Sequence, residues 1–321
     1  MSGVTEYTGH THARIPHQHH YQEIRTRWIH GVIIIPHSMV HITSAFRRRM
    51  LIVADDLGMT HYTNRGIMRC VDARVLDAVS LVVNMPYAMD AMRMWFDPSA
   101  HKRPALGLHL NFTEGTPCTD AQRVNSLCSG YRQMHGPSEF WARCQSGDIC
   151  ELDVYTETTA QIERFYALTD GCAPAHIDGH HHCHLASPAI SETICRALND
   201  SIPTGTSKPR VRSFDSDDTY LDMSACTTCT RGAEGGGSVF DSYGFRSTPH
   251  FVNISSCDAD AETMRSNMDR ALQHHLTTHG AIELMCHPAY HNPTSAGWYD
   301  SEERHAELQL LLELFTYSTR L

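Results

Sequence analysis

The stretch MLIVADD, residues 50–56, indicates how this chain folds. Its apolar run has the length of a buried strand, and it ends in two acids. A helical pattern follows at 64–73, and a second apolar strand pattern occupies 75–86. Strands that alternate with helices form mostly parallel sheets whose faces are covered by the helices. This beginning therefore predicts an α/β fold.

The same alternation continues through the rest of the chain. Further strand patterns lie at 105–111, 175–184, 209–214 and 281–288, and further helical patterns lie near 88–96 and at 156–169, 187–200 and 261–280. So many strand–helix units in one chain favour a distorted (β/α) TIM-like barrel over an open sheet. The final ELQLLLELFTYSTRL leaves little room for a closing strand. The prediction therefore includes a barrel that is incomplete at its C-terminus.

Two segments break the rhythm and set the predicted domain boundaries. Residues 1–49 carry no strand or helix period, and we interpret them as a disordered extension, an organelle-targeting segment, or sequence that precedes a true start at Met50. Residues 50–321 form the predicted barrel domain. Within it, 215–248 is polar and Gly-rich, which predicts a long loop insertion.

Composition excludes several classes of partner. The chain has 321 residues and a formal net charge of −10, which disfavours a nucleic-acid groove or an anionic membrane surface. No apolar run approaches the roughly 20 residues needed to span a bilayer. The 12 cysteines come without a secretory signal, so we expect reduced thiols in a cytoplasmic protein. A homo-oligomer remains open.

Chemistry-bearing side chains collect at the predicted strand ends, where α/β barrels place their active sites. These residues are Asp55, Asp56, His109, Arg212 and His287, together with HIDGHHHCH at 176–184. Alternation along 105–111 puts three leucines on one face and His109 on the other. The same reasoning, applied to 176–184 as a strand, puts His176, Asp178, His180, His182 and His184 on one face and His181 on the other.

Burying several imidazoles and a carboxylate without partners costs about 1–3 kcal/mol for each unsatisfied group. A divalent ion would satisfy them. One Asp and two His, with positions left for water, form a catalytic type of metal site. We expect the ligands to come from different strands, because neighbours on one strand rarely converge on one ion.

Five stretches, in order, resemble the YdjC-like carbohydrate deacetylase family, which includes chitooligosaccharide deacetylases. They are LIVADDLG, GLHLNFTEG, AHIDGHHHCH, VRSF and ELMCHPAY, and they span about residues 50–291. The resemblance implies a distorted barrel, a divalent metal usually given as magnesium, and an N-acetylated sugar as the substrate.

Carried over by position, the family's metal ligands fall on Asp56, His109 and His180. Its general base falls on Asp55, and its candidate proton donor falls on His287. Departures from the family pattern are Val53 and Leu57 on either side of the acids, neither of which supplies a ligand.

The remaining polar residues near the site are expected to support it. Asp178 is expected to orient a ligand imidazole or Arg212. Arg212 matches the family less closely, because Ser213 and Phe214 follow it. His182 is expected to contact sugar hydroxyls or to have a plain polar role, and His176 is expected to be structural.

Three alternatives stay open at this point. Zinc competes with magnesium, because two imidazoles suit zinc better. An iron oxygenase could use the HID of 176–178 with His287, although such sites usually lie on an antiparallel double-stranded sheet. A homologue that binds metal or sugar without turnover is the third.

Overall fold

The computed structural model describes residues 27–29, 32–34, 41–42, 47–98, 102–130, 132–213, 236–247, 250–254, 262–266, 268–269, 280–295 and 297–316. Most of the predicted extension 1–49 and much of the predicted loop 215–248 therefore lie outside the described residues. Within the extension, β1 (Arg27–Ile29), β2 (Val32–Ile34) and β3 (His41–Ile42) form a small antiparallel sheet. The boundary at Met50 remains a prediction.

Seven parallel strands form the main sheet, as the alternating pattern predicted. In chain order they are β4 (Met50–Leu57), β5 (Ala78–Leu81), β6 (Ala105–Leu110), β7 (His176–Gly179), β8 (Arg210–Val211), β9 (His250–Asn253) and β10 (Ile282–Cys286). Their order across the sheet is β8-β7-β6-β5-β4-β10-β9. The sheet curls into an incomplete TIM-like barrel with β8 and β9 at its two edges, which confirms the predicted fold class.

Helices connect and cover these strands. Seven of them are α1 (His61–Asp72), α2 (Ala88–Trp95), α3 (Pro137–Ser146), α4 (Glu151–Leu168), α5 (Pro188–Ser201), α6 (Gly236–Ser242) and α7 (Glu302–Thr316). Residues 262–266 and 268–269 are also helical, within the range predicted as a helix at 261–280. The Ser187 side chain caps α5 by accepting a hydrogen bond from the backbone N–H of Ile190 at 3.2 Å, as the SPAI sequence predicts. The range predicted as a loop contains α6.

Helices cover the outer faces of the strands, which favours apolar residues on those faces. In β4 every residue except Leu51 is buried, which explains why MLIVA reads as a continuous apolar run. On the inner face of β6, Gly107 leaves space for the ring of His176 on β7, because a Cβ there would lie 2.3 Å from Cε1 of that ring. Strand β9 and helices α3, α6 and α7 lacked a clear sequence signal.

The structure contradicts the strand predicted at 175–184. Strand β7 ends at Gly179, and His180–Leu185 forms a 3-10 turn in which His181 and His182 have left-handed φ values of 50° and 55°. The turn folds back onto the Gly179 backbone, where a Cβ would lie 2.6 Å from Nδ1 of His184. The prediction that alternate residues share one face was therefore wrong beyond Gly179.

Two further observations concern membrane-spanning helices and the state of the cysteines. None of the described helices combines the length and apolar character needed to cross a bilayer. The nine cysteines in the described segments are all free thiols.

Candidate metal centre and active site

Three side chains that the sequence predicted as ligands converge at the carboxyl ends of the strands. Oδ1 of Asp56 lies 3.0 Å from Nδ1 of His180 and 3.5 Å from Nε2 of His109. The three residues come from β4, β6 and the turn after β7, and all are buried. Asp56 has a left-handed φ of 70°, and the β4–β5 pairing is irregular between Ala54 and Leu57. This bulge gives Asp56 a direction that a regular strand would not.

The arrangement fits a divalent cation. Oδ1 of Asp56 is buried and makes no hydrogen bond, although both imidazoles are near it. The opposite ring nitrogens are engaged: Nδ1 of His109 lies 2.7 Å from Oδ1 of Asp178, and Nε2 of His180 lies 2.9 Å from the hydroxyl of Tyr299. Metal-binding histidines typically use their second nitrogen in this way. One carboxylate oxygen and two ring nitrogens therefore face a common point.

Arg212 organises the carboxylates beside this point. Its guanidinium donates to both oxygens of Asp55, at 2.6 and 2.8 Å, and to Oε1 of Glu283 at 2.6 Å. It also lies 3.0 Å from Oδ2 of Asp178. Asp178 thus contacts both partners that the sequence proposed for it, the imidazole of His109 and the guanidinium of Arg212.

The ion-pair network carries excess negative charge. It contains four buried carboxylates and two buried guanidiniums, which sum to −2: Asp55, Asp56, Asp178 and Glu283 against Arg212 and Arg304. Buried charge needs a counter-charge, and a divalent ion supplies one of equal size. In the metal-free protein a protonated His109 supplies part of this counter-charge. Burial alone would lower the pKa of His109, but Asp178 and Asp55 raise it to about 10.

Asp55 lies beside the predicted ligands and makes its strong contacts elsewhere. Its Oδ2 is 4.0 Å from Nε2 of His109, and both of its oxygens face Arg212. Burial raises the pKa of Asp55 to about 6, against the opposing effect of the Arg212 charge. A carboxylate with such a pKa can accept a proton near neutral pH.

His287 and His182 lie at the margin of the group. The half-buried His287 follows β10, and its backbone N–H donates to Oε1 of Glu307 at 2.5 Å. Burial, and then the nearby Arg304 charge, lower the pKa of His287 to about 3, so its imidazole is neutral at rest. His182 is buried, and its ring meets Phe251 edge to face at 5.9 Å between centroids.

Sequence reasoning missed several residues of the site. Glu283 shares a strand face with His287, so alternation along β10 could have identified it. Glu114 follows His109 in the quoted GLHLNFTEG, and together with His180 and His181 it forms a second group of potential ligands. The residues without a sequence signal were Tyr299 and Arg304, which come from the segment after the last strand.

A cavity of about 580 Å³ lies beside the segments that follow β5 and β6, and its lining includes none of the predicted site residues. Its lining includes Asn84, Met85, Gly115, Gln133 and Arg164. The Asn84 amide donates to the backbone carbonyl of Glu114 at 3.2 Å, and Oε2 of Glu114 lies 3.9 Å from Nε2 of His180. The cavity therefore borders Gly115, the chain neighbour of Glu114, and not the Asp56, His109 and His180 side chains themselves.

Known proteins resemble this chain over most of its length. The family model described as YdjC-like protein matches residues 49–314. The chain belongs to the YdjC-like family. Among curated relatives, this YdjC-like protein is 31% identical to a mouse carbohydrate deacetylase over 257 residues, which cover 78% of this chain and 81% of that protein. It is 27% identical to a carbohydrate deacetylase of Geobacillus stearothermophilus over 274 residues, covering 83% and 90% of the two chains.

A solved structure supports the fold. The crystal structure of a proposed cellobiose-phosphate cleavage protein from Enterococcus faecalis aligns with a TM-score of 0.62 at 21% identity, covering 83% of this chain and 91% of that one. At this identity the likeness concerns the fold alone.

Proposed function

We propose that this chain is a metal-dependent hydrolase that removes acetyl groups from N-acetylated sugars or oligosaccharides. The observation that carries the proposal is the buried Oδ1 of Asp56, which makes no hydrogen bond and faces the nitrogens of His109 and His180. The relatives named carbohydrate deacetylases supply the reaction class.

In this proposal Asp56, His109 and His180 hold the metal. A bound divalent ion supplies Lewis acidity, which activates water and polarises the acetyl carbonyl. Asp55 takes a proton from the water, since its raised pKa suits a base near neutral pH. Arg212 holds both oxygens of Asp55 in place.

His287 is the proposed donor to the departing amine. It is neutral at rest because burial and Arg304 lower its pKa. In the proposed sequence it therefore first receives the proton that Asp55 has taken from the water, and it passes this proton to the amine nitrogen as the C–N bond breaks. The products are acetate and an amino sugar.

The donor set bears on the metal. Two imidazoles and one carboxylate suit zinc, whereas the resemblance to the family implied magnesium.

Among the described residues the groups of potential ligands include neither His176 nor His287. Asp178 already contacts Ser80, His109 and Arg212. The iron oxygenase alternative therefore has no geometric support here.

The test measures acetate release from N-acetylated oligosaccharides, with the metal content of the same preparation. We expect Asp55→Asn to retain the metal and to lose activity by roughly 10²–10⁴-fold, the usual contribution of a general base. Asp170→Asn, at the opposite end of β7 in an exposed turn, is the matched control and keeps full activity.

Each other outcome has a defined meaning. Full activity of Asp55→Asn contradicts the assignment of the base. A wild-type protein that holds metal and sugar but releases no acetate is the non-catalytic homologue. A wild-type protein that holds no divalent metal contradicts the proposed hydrolase.

A further inference from the structure

Arg304 contacts a proposed metal ligand from outside the barrel strands. It lies in the first turn of α7 and is buried. Its Nη1 donates to Oδ2 of Asp56 at 2.8 Å. The guanidinium carbon lies 4.9 Å from the centroid of Tyr299 and 5.6 Å from that of Trp298, so two aromatic rings hold it in place.

Because of this contact, the two carboxylate oxygens of Asp56 face different partners. Oδ2 is taken by the guanidinium, while Oδ1 makes no hydrogen bond and faces the two imidazoles. A carboxylate held in this way offers one oxygen to an ion, although a free carboxylate can offer two. We propose that Arg304 is a positioning residue that restricts Asp56 to one-oxygen coordination and thereby sets the metal preference of the site. The inference rests on the metal site of the proposed function.

The number of carboxylate oxygens matters more for some ions than for others. Manganese favours oxygen ligands and octahedral coordination, whereas zinc is satisfied by four ligands of which imidazoles are favoured. Releasing Oδ2 therefore benefits manganese more than zinc. Arg304 is expected to favour zinc by withholding that oxygen.

The ratio of two affinities isolates this effect. Removing the positive charge of Arg304 strengthens the binding of any divalent ion, and a general loosening of the site weakens the binding of any such ion. Both effects act on Mn²⁺ and Zn²⁺ alike because the two ions carry the same charge. Only a change in the oxygen ligands moves the ratio of their dissociation constants.

The experiment measures Kd for Mn²⁺ and for Zn²⁺ by chelator competition at one fixed pH on the full chain. In Arg304→Met we expect the preference for Zn²⁺ over Mn²⁺ to fall by about tenfold or more, on the scale of other changes just outside a ligand set. Arg304→Lys keeps a charged donor and should retain most of the wild-type ratio. Arg265→Met is the control, since Arg265 makes its ion pair with the exposed Glu313 at 2.7 Å.

The outcomes separate this inference from the proposed function. If the wild type binds ions and the ratio is unchanged in Arg304→Met, or both affinities fall in parallel, the inference is overturned and the hydrolase proposal stands. If the wild type binds neither ion, both are overturned. Should Arg304→Met fail to fold, Arg304→Leu supplies the same ratio with another side chain that donates no hydrogen bond.

Discussion

His109 uses its two ring nitrogens for different purposes. Nδ1 lies 2.7 Å from Asp178, and Nε2 points toward Asp56 and Asp55. In the metal-free protein this setting raises the pKa of His109 to about 10, so the imidazole is a cation at neutral pH. The proton on Nε2 occupies the position from which the nitrogen would bind a metal.

Metal binding at pH 7 should therefore release a proton from His109. Calorimetric titration of the metal-free protein in two buffers of different ionisation enthalpy measures this proton directly. The apparent affinity should rise with pH up to about 10, the pKa of His109. Identical heats in both buffers would contradict the protonated state of His109.

The same raised pKa has a consequence for stability without metal. Because the folded pKa lies above the ordinary value, the protonated imidazole stabilises the metal-free fold fully below about pH 6.5. That contribution is lost as the pH rises toward about 10. Thermal unfolding of the metal-free protein across this window gives the sign.

At the scale of elements, strand β6 was the most predictable and the turn after β7 the least. Alternation along 105–110 correctly put His109 on the inner face, because a regular strand obeys a period of two. Beyond Gly179 the chain leaves strand geometry at His181 and His182, whose left-handed φ values no local sequence pattern predicts. The structure nonetheless brings His180 to the site. Its prediction came from the match to the family motif, which does not depend on the strand period.

Close packing between β6 and β7 makes a prediction about Gly107. A Cβ at this position would lie within 2.5 Å of three atoms of the His176 ring, and that ring is held by Ser80 at 2.8 Å. Gly107→Ala should lower the free energy of unfolding by about 1–3 kcal/mol or more, the usual cost of overpacking. Denaturant unfolding measures the change.

Gly130 provides the matched control for that substitution. A Cβ at Gly130 has no heavy atom within 4 Å, so Gly130→Ala should leave stability nearly unchanged. Equal effects of the two substitutions would show that the packing between the two strands is looser than these distances indicate.

On the scale of the whole molecule, the barrel and its strand ends were predictable, whereas the contributions of the last segment were not. Parallel βα units determine where the strand ends meet, so Asp55, His109 and His287 could be assigned to one edge. Tyr299 and Arg304 reach the site from a short 3-10 helix and from α7, whose docking depends on tertiary packing. No spacing rule relates them to the strands.

The four buried carboxylates exceed the two buried guanidiniums by two charges, and the His109 cation offsets only one of them, so the fold should be stabilised by a bound cation. We expect a saturating divalent metal, at about 100 times its Kd, to stabilise the protein by about 2.7 kcal/mol. Thermal unfolding with and without a chelator measures this gain. Asp56→Asn tolerates the left-handed backbone but removes a charged ligand, so its melting temperature should respond little to metal. A response equal to that of the wild type would contradict the proposed ligand set.

Arg212 follows the edge strand β8, yet it reaches the other end of the sheet. Its guanidinium contacts Glu283 on β10 at 2.6 Å and lies 5.5 Å from the centroid of Phe251 on β9. This one side chain thus connects the two edges of the sheet, since β8 and β9 are not paired with each other. A substitution at Arg212 would remove this contact between the two edges together with its contact to Asp55, so in this chain a change at the proposed site is at the same time a change in how the barrel is held together.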